Sequence, residues 1–297
     1  MTNLYGNTSH LFSSPYLTIA EYKSAPTAID YNNLVVDSAD PAAQDAELAN
    51  MIARASSWID SYCNQVLAAT TETEQQRVRM SSDGYLKIHP SNWPVLGLTA
   101  LSYGSQPNNL TAFTDLSQGW IEDQTIIMPW SSGSMNYSSS GPLSFGSPAS
   151  ARSQVYVKYS YINGYANTLL VSGTSGASSF VVKDATGILP GSHLTIYDGM
   201  NTETVTVAST YAPGSTTILI GGSLSASHGA GVAVSALPPA VKEAAILVTT
   251  AFLKVRGDYS MTMQVTEMVG KTGLNTASLN YDLELAKELL IPYRRIR

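Results

Sequence analysis

The sequence predicts an α+β chain: a discontinuous helical domain with an antiparallel β section, plus an inserted small all-β barrel or sandwich domain. Three observations carry this. Apolar residues recur at steps of three and four over 41–69 and again over 239–256, the period of helices with a buried face. Over 71–162 short runs alternate with period two, as half-buried strands do. Residues 165–236 carry almost no helical period, and their short alternating runs are separated by turn pairs.

The elements follow in order. Residues 1–16 have no apolar period and read as an extended N-terminal arm. Thr18 precedes Glu21 by three residues, the spacing at which a Thr cap and a Glu satisfy each other's free amides, so a short helix is expected over 17–25, stopped by Pro26. The helix over 41–69 opens with Asp40 as N-cap and Pro41 in its first turn. Leu48, Met51, Ile52, Ala55, Trp58, Ile59, Tyr62, Cys63, Val66 and Leu67 make its stripe. Cys63 reads there as a small hydrophobe.

In the β section, Arg77–Met80 and Tyr85–Ile88 flank Asp83-Gly84, a tight-hairpin signal, since both central residues of that turn need positive φ. Gly97–Tyr103 and Gln154–Tyr159 are further strands, and the Ser, Gly and Pro of 130–150 mark a loop. In the insertion, strands are expected at 179–182, 193–197, 203–207, 216–220 and 231–234, parted by Pro190-Gly191, Asp198-Gly199, Pro213-Gly214 and Gly221-Gly222. Helix returns at 239–256 with Val241, Ala244, Ala245, Val248, Ala251, Phe252 and Val255 on one stripe and Ile246, Leu247 and Leu253 on other sides. A helix apolar on most sides must be covered on most sides, and the helix of 41–69 is the expected partner. A polar loop over 257–280, a C-terminal helix over 281–291 and a basic tail close the chain.

Composition narrows function. A net charge of −6 over 297 residues disfavours a protein that grips phosphate backbones, which needs clustered Lys and Arg. One cysteine excludes an intramolecular disulfide and a thiolate metal cage. No basic, apolar leader opens the sequence and no run reaches the about 18 to 20 apolar residues that span a bilayer, so a protein made in a reducing cytoplasm, without a membrane partner, is expected. Charged residues are 13% of the chain against about 25% in ordinary soluble domains, so much of the polar surface is uncharged.

Catalytic motifs are missing: there is no G-x-S-x-G elbow, P-loop, G-x-G-x-x-G or H-E-x-x-H. His10, His89, His193 and His228 are far apart in sequence, and His228 reads as a turn histidine that packs or caps locally. Glu72 with Glu74 reads as a solvated edge, and Asp282, Glu284 and Glu288 as a solvated helix face. No enzyme, catalytic residue, metal site or cofactor is expected.

The order of the pieces is nonetheless specific. Tyr16–Tyr22, Ala55–Cys63 and Asp83–Ile88, followed far downstream by Leu237–Lys242, Arg256–Tyr259 and Leu289–Arg295, together resemble the head-tail connector (adaptor, head-completion) proteins of long-tailed bacteriophages. The resemblance covers roughly 16–104 and 237–297 and implies a non-enzymatic virion protein at the neck. The pairing of the two apolar helices makes the connector domain discontinuous, 17–164 and 237–297, with 165–236 inserted as its own domain, and the β section at 71–162 and this insertion depart from the compact members of the family. Subunits of that family pack beside copies of themselves, commonly as a twelve-membered ring, under a portal protein and above tail-side neck or tail-completion proteins, with genomic DNA passing through the lumen.

On that reading Trp58, Ile59, Tyr62, Val241, Val248 and Phe252 form the subunit's core helices, and Tyr293, Arg294, Arg295 and Arg297 form a tail that docks on the portal. Arg and Tyr are favoured interface anchors. An acidic balance suits a lumen that must not hold DNA. The rival is a secreted or surface β-rich carbohydrate-binding module, with Tyr197, Tyr211 and His228 exposed on the inserted domain; that stretch has no Trp for a sugar to stack on.

Overall fold

The computed structural model describes residues 14–27, 29, 31, 32, 34, 35, 38, 40–79, 81, 84–129, 154–257 and 274–295, with the backbone alone for 154, 255–257 and 274–280. The chain is α+β, with antiparallel sheets. It divides into two compact units, residues 1–68 with 165–297, and residues 69–164. The helices thus share a unit with the strands of 165–236, whereas the sequence reading grouped them with the strands of 71–162.

In the first unit, α1 (Ile19–Ser24) begins with a full capping box: the Thr18 hydroxyl accepts from the Glu21 amide and Glu21 Oε2 accepts from the Thr18 amide at 2.6 Å. The expected arm reaches this helix with Tyr16 and Leu17 buried; residues 1–13 lie outside the described ones. α2 (Pro41–Cys63) starts as expected, Asp40 Oδ1 accepting from the Ala42 amide. It stops six residues short of the predicted end. Asn64 takes a left-handed conformation (φ 56°), and its amide turns back onto the carbonyls of Asp60 and Ser61; Asn is among the few residues that adopt this cap cheaply.

α3 (Pro239–Gly257) matches expectation, and α4 (Leu274–Leu290) starts seven residues before the predicted 281. The polar loop of 257–280 is therefore shorter than predicted; 258–273 lie outside the described residues. Asn275, Thr276, Ser278 and Asn280 are weak helix formers. Lengthening an existing helix gains a hydrogen bond per residue fixed, and this outweighs their propensity.

These helices share one core: Tyr16, Tyr22, Leu48, Ile52, Ile59, Val241, Val248, Ala286 and Leu290 are all at or below 2% exposure within it. Trp58, Tyr62 and Phe252 are partly buried against it, and the rings of Trp58 and Tyr62 stack at 5.5 Å, 3° from parallel. α3 is covered by both α2 and α4. The chain leaves this unit at Ala68 and re-enters at Tyr165, two residues joined by a parallel bridge.

The second unit packs two sheets around its own core. β1 (Thr70–Arg79), β3 (Val95–Gln106), β4 (Asn109–Ala112) and β7 (Gln154–Asn163) form one in the order β1-β7-β3-β4. β2 (Tyr85–Ile88), β5 (Trp120–Glu122) and β6 (Thr125–Pro129) form the other in the order β2-β6-β5. Val155, Val157, Tyr159 and Tyr161 of β7 face Leu86, Ile88, Ile126 and Met128 across this core, the period-two alternation a half-buried strand requires. Of the predicted hairpin, Met80, Ser82 and Asp83 lie outside the described residues, and the flanking strands take other partners: β1 pairs with β7 and β2 with β6. Gly84 has the expected positive φ (83°), and β1 and β2 lie in different sheets. Of the 130–150 loop, all residues lie outside the described ones.

Residues 165–236 form a six-stranded antiparallel sheet, β11-β10-β13-β8-β9-β12, from β8 (Asn167–Ser172), β9 (Ser179–Val182), β10 (His193–Tyr197), β11 (Glu203–Thr206), β12 (Thr217–Leu219) and β13 (Ala233–Ser235). The sheet curls until its outer strands meet: the Ala208 amide donates to Leu219 O at 2.8 Å and the Gly221 amide to Thr206 O at 2.9 Å. That contact leaves no long free edge between them. Phe180, Leu194, Ile196, Ile218 and Val234 fill the inside. β8 is the strand the sequence reading did not name.

Ile59→Ala or Leu290→Ala will each destabilise the fold by about 2–5 kcal/mol in denaturant titration, while Ile291→Ala, at a side chain 61% exposed, will stay within about 0.5 kcal/mol.

Candidate functional site

The basic tail does not stand free of the helices. The Arg295 amide donates to Cys63 O at 2.9 Å, and Gln65 Nε2 donates to Tyr293 O at 3.0 Å. The Arg294 guanidinium lies 5.4 Å from the centre of the Tyr62 ring, and the Tyr293 ring meets Tyr165 edge to face at 6.4 Å. These contacts seat the tail on the end of α2, where a cation also complements the helix dipole. Two predicted sets, the tail and the core-helix residue Tyr62, are thereby brought together. Arg294 remains exposed, and Arg297 lies outside the described residues.

Beside this seat, Asp60 is buried on α2. Its Oδ1 accepts a short hydrogen bond from the Tyr16 hydroxyl, which itself accepts from the Leu67 amide at 2.9 Å. Burial pushes the Asp60 carboxyl up to about 7 against the opposing effect of these bonds, and burial followed by the Asp60 charge pushes the Cys63 thiol up to about 12. Cys63 is thus an inert core thiol.

A second buried pair joins α1 to α3. Lys242 Nζ sits 2.6 Å from Glu21 Oε1, with side-chain exposures of 7% and 9%, and 4.4 Å from the centre of the Tyr197 ring of β10. Burial lowers the lysine's pKa, and the glutamate opposes this. Breaking such a pair strands an uncompensated charge, so its role is to fix how helices and curled sheet dock.

In the second unit, Glu72 and Glu74 correct the reading of a solvated edge. Both lie on the inner face of β1, with Glu72 5% exposed. Glu74 accepts from the hydroxyls of Tyr159 at 2.8 Å and Tyr161 at 2.7 Å and from the Ser91 amide. Two large tyrosines need partners for their buried hydroxyls, and the glutamate supplies them. Burial, then the Glu74 bond, raises both phenols.

The last cluster lies on the curled sheet. His228, with a fully buried side chain, holds Asp198 Oδ2 at 2.9 Å with Nδ1 and Glu203 Oε1 at 2.6 Å with Nε2. Glu203 also accepts from the Ser225 amide and hydroxyl and from the Ala226 amide. Burial opposes ionisation of Glu203, but these bonds win and bring it down to about 2. So weak a base cannot activate Ser225, and His228, with both nitrogens occupied, cannot either. The sequence held no sign of this cluster, because 25 and 30 residues separate the histidine from its partners.

Two of the three residues expected to be exposed on the inserted domain, Tyr211 and His228, are buried. Tyr211 is 3% exposed with its hydroxyl on Ser215 O, and Tyr197 is half-buried with the Lys242 ammonium over its ring. Of the other histidines, His89 and His193 meet the hydroxyls of Thr125 and Thr206, and His10 lies outside the described residues. Among the described residues, no group of three or more His, Cys, Asp or Glu is placed to hold a metal ion, and no helix is long and apolar enough to cross a membrane.

Comparison with protein-family models, with curated proteins and with solved structures finds no match to this chain.

Asp60 gives a pH test. A carboxyl whose folded pKa is raised binds more protons folded than unfolded between its ordinary 3.8 and about 7, so its contribution to stability falls as pH rises through that range. Asp60→Asn will remove that slope: from pH 4 to 7 the midpoint of thermal unfolding will fall more in wild type than in the variant.

Proposed function

We propose that the chain is a structural virion protein, a head-to-tail connector that forms a ring below the portal, joins capsid to tail and lines the DNA exit channel. One observation carries the reading. The segments that resemble the connector family at the two ends of the chain, Tyr16–Tyr22, Ala55–Cys63, Leu237–Lys242 and Leu289–Arg295, meet in and around one buried core although up to about 280 residues separate them in sequence. The Asp83–Ile88 piece belongs to the other unit.

Physical chemistry supports the same role. A ring subunit needs a rigid core, uncharged polar surface for flush contact with its neighbours, and a lumen that lets phosphates pass. The net charge of −6 and the 13% charged content suit these demands. In this reading twelve copies close around the axis, the portal protein lies above, tail-side neck proteins lie below, and no catalysis or cofactor is involved. The tail is the portal contact: Arg294, exposed with its guanidinium over the Tyr62 ring, and Arg295, tied to α2 through its amide, sit on a rigid seat, which lowers the entropic cost of docking.

Imaging the full chain mixed with the portal of its own phage will show closed rings of this chain seated on the portal. A chain that forms no ring with portal and is missing from the neck of assembled particles contradicts the proposal. In the same mixture, R294E/R295E will weaken portal binding by roughly tenfold or more; unchanged binding removes the tail from the contact and leaves the ring to be judged by imaging.

A further inference from the structure

The segment between β12 and β13, residues 220–232, is fastened to the curled sheet in two chemically different ways. At Leu224 the fastening is apolar: its side chain is 2% exposed inside the sheet's core, and its amide donates to Ala177 O at 2.9 Å. Neither contact titrates. From Ser225 to His228 an ionic fastening is added to neutral bonds: the Ser175 amide donates to the Ser227 hydroxyl at 3.0 Å, the Ser175 hydroxyl donates to Ser225 O at 3.1 Å, and the His228 amide donates to Gly173 O. Glu203 of β11 takes the Ser225 amide, the Ser225 hydroxyl and the Ala226 amide, and His228 bridges Glu203 to Asp198 in the turn after β10.

A neutral imidazole has one N–H and one lone pair. It can donate to one of these carboxylates, and must then turn its lone pair on the other at 2.6 or 2.9 Å. Only the imidazolium donates to both. Asp198 and Glu203 are the charged groups that act on it; the loop after β8 meets it through the Gly173 carbonyl, which accepts from the His228 amide at 2.9 Å, and its own segment offers Ser225 and Ser227, which carry no charge.

We propose that His228 is a pH-set fastener: its imidazolium clamps residues 225–230 to the turn between β10 and β11, and loss of its proton to solvent releases that stretch while Leu224 keeps the rest of the segment in place. The direction of titration agrees. Burial acts to lower the histidine's pKa, and the bonds and charges of Glu203 and Asp198 outweigh it, leaving it raised. A raised basic group stabilises fully below its ordinary pKa of about 6.5 and loses that contribution as pH climbs through the folded value. Glu203, held down at about 2, stays a carboxylate through the same range, so the histidine's charge is what changes. The clamp is therefore closed in acid and opens as pH climbs through a folded value that lies above the histidine's ordinary one.

Amide hydrogen exchange of the full chain from pH 5.5 to 9.5 tests this, with rates divided by the intrinsic rate at each pH. Protection at Ala226 and His228 is expected to fall by roughly tenfold or more as pH rises, while Ile196, Val205 and the Leu224 amide keep theirs. In His228→Gln, protection at Ala226 will be low and flat across the range. Wild-type protection that stays constant, or that falls equally in the variant, overturns the proposal. Should the variant fail to fold, the imidazole proton resonances of wild type decide: a His228 ring that titrates above its ordinary value of about 6.5 is required, and one that titrates at or below it refutes the clamp.

Discussion

Everything in the first unit depends on the need to cover α3. A helix with Val241, Ala245, Val248 and Leu253 at or near zero exposure cannot be left half in water. Each exposed Val or Leu side chain would forfeit about 1.5–3 kcal/mol of transfer free energy. α2 covers one side and α4 another, so sequence from both ends of the chain must converge before the core closes. From that constraint follow the buried Tyr16 beside Asp60, the tail seated on the end of α2, and the adjacency of Ala68 and Tyr165 where the chain leaves and returns.

Polar groups then make the packing unique. A low charged fraction leaves few ions to place, and the structure sets several of them inside, each with a partner: Lys242 on Glu21, His228 between Asp198 and Glu203, Glu74 under two tyrosine hydroxyls. Buried ions add little net stability, because desolvation consumes the Coulomb gain. Misaligned packings would strand these charges, and that penalty selects one docking of α1, α3 and β10. Such sites sense pH for the same reason. The connector reading draws on this rigidity, since a subunit that must fit flush against copies of itself needs one shape.

Much of the fold was legible in the sequence wherever local chemistry decides it. The Thr18–Glu21 box, the Asp40-Pro41 start of α2 and the stripe of α3 need only nearby residues to be understood, and the structure has all three. Failures fell where distant residues decide. Asp83-Gly84 has hairpin chemistry, yet β1 finds its partner in β7, some 80 residues downstream. Glu72 and Glu74 look solvated until Tyr159 and Tyr161 are set against them across that pairing. The end of α2 at Asn64 and the early start of α4 turn on a single backbone conformation and on helix propagation, neither of which has a period to read. For the candidate sites, the core residues Ile59, Val241 and Val248 were visible as a stripe, while the clamp at His228 was not, because only the curl of the sheet brings β11 under it.

The central claim is that helices from opposite ends of the chain form a single cooperative core. Native-state hydrogen exchange across a denaturant series measures this most directly, through the opening free energies of the slowest amides in α2 and α3. A single core predicts that the two sets converge on one free energy with one denaturant slope. Amides of α2 that open at lower denaturant than those of α3, with a slope of their own, would contradict it.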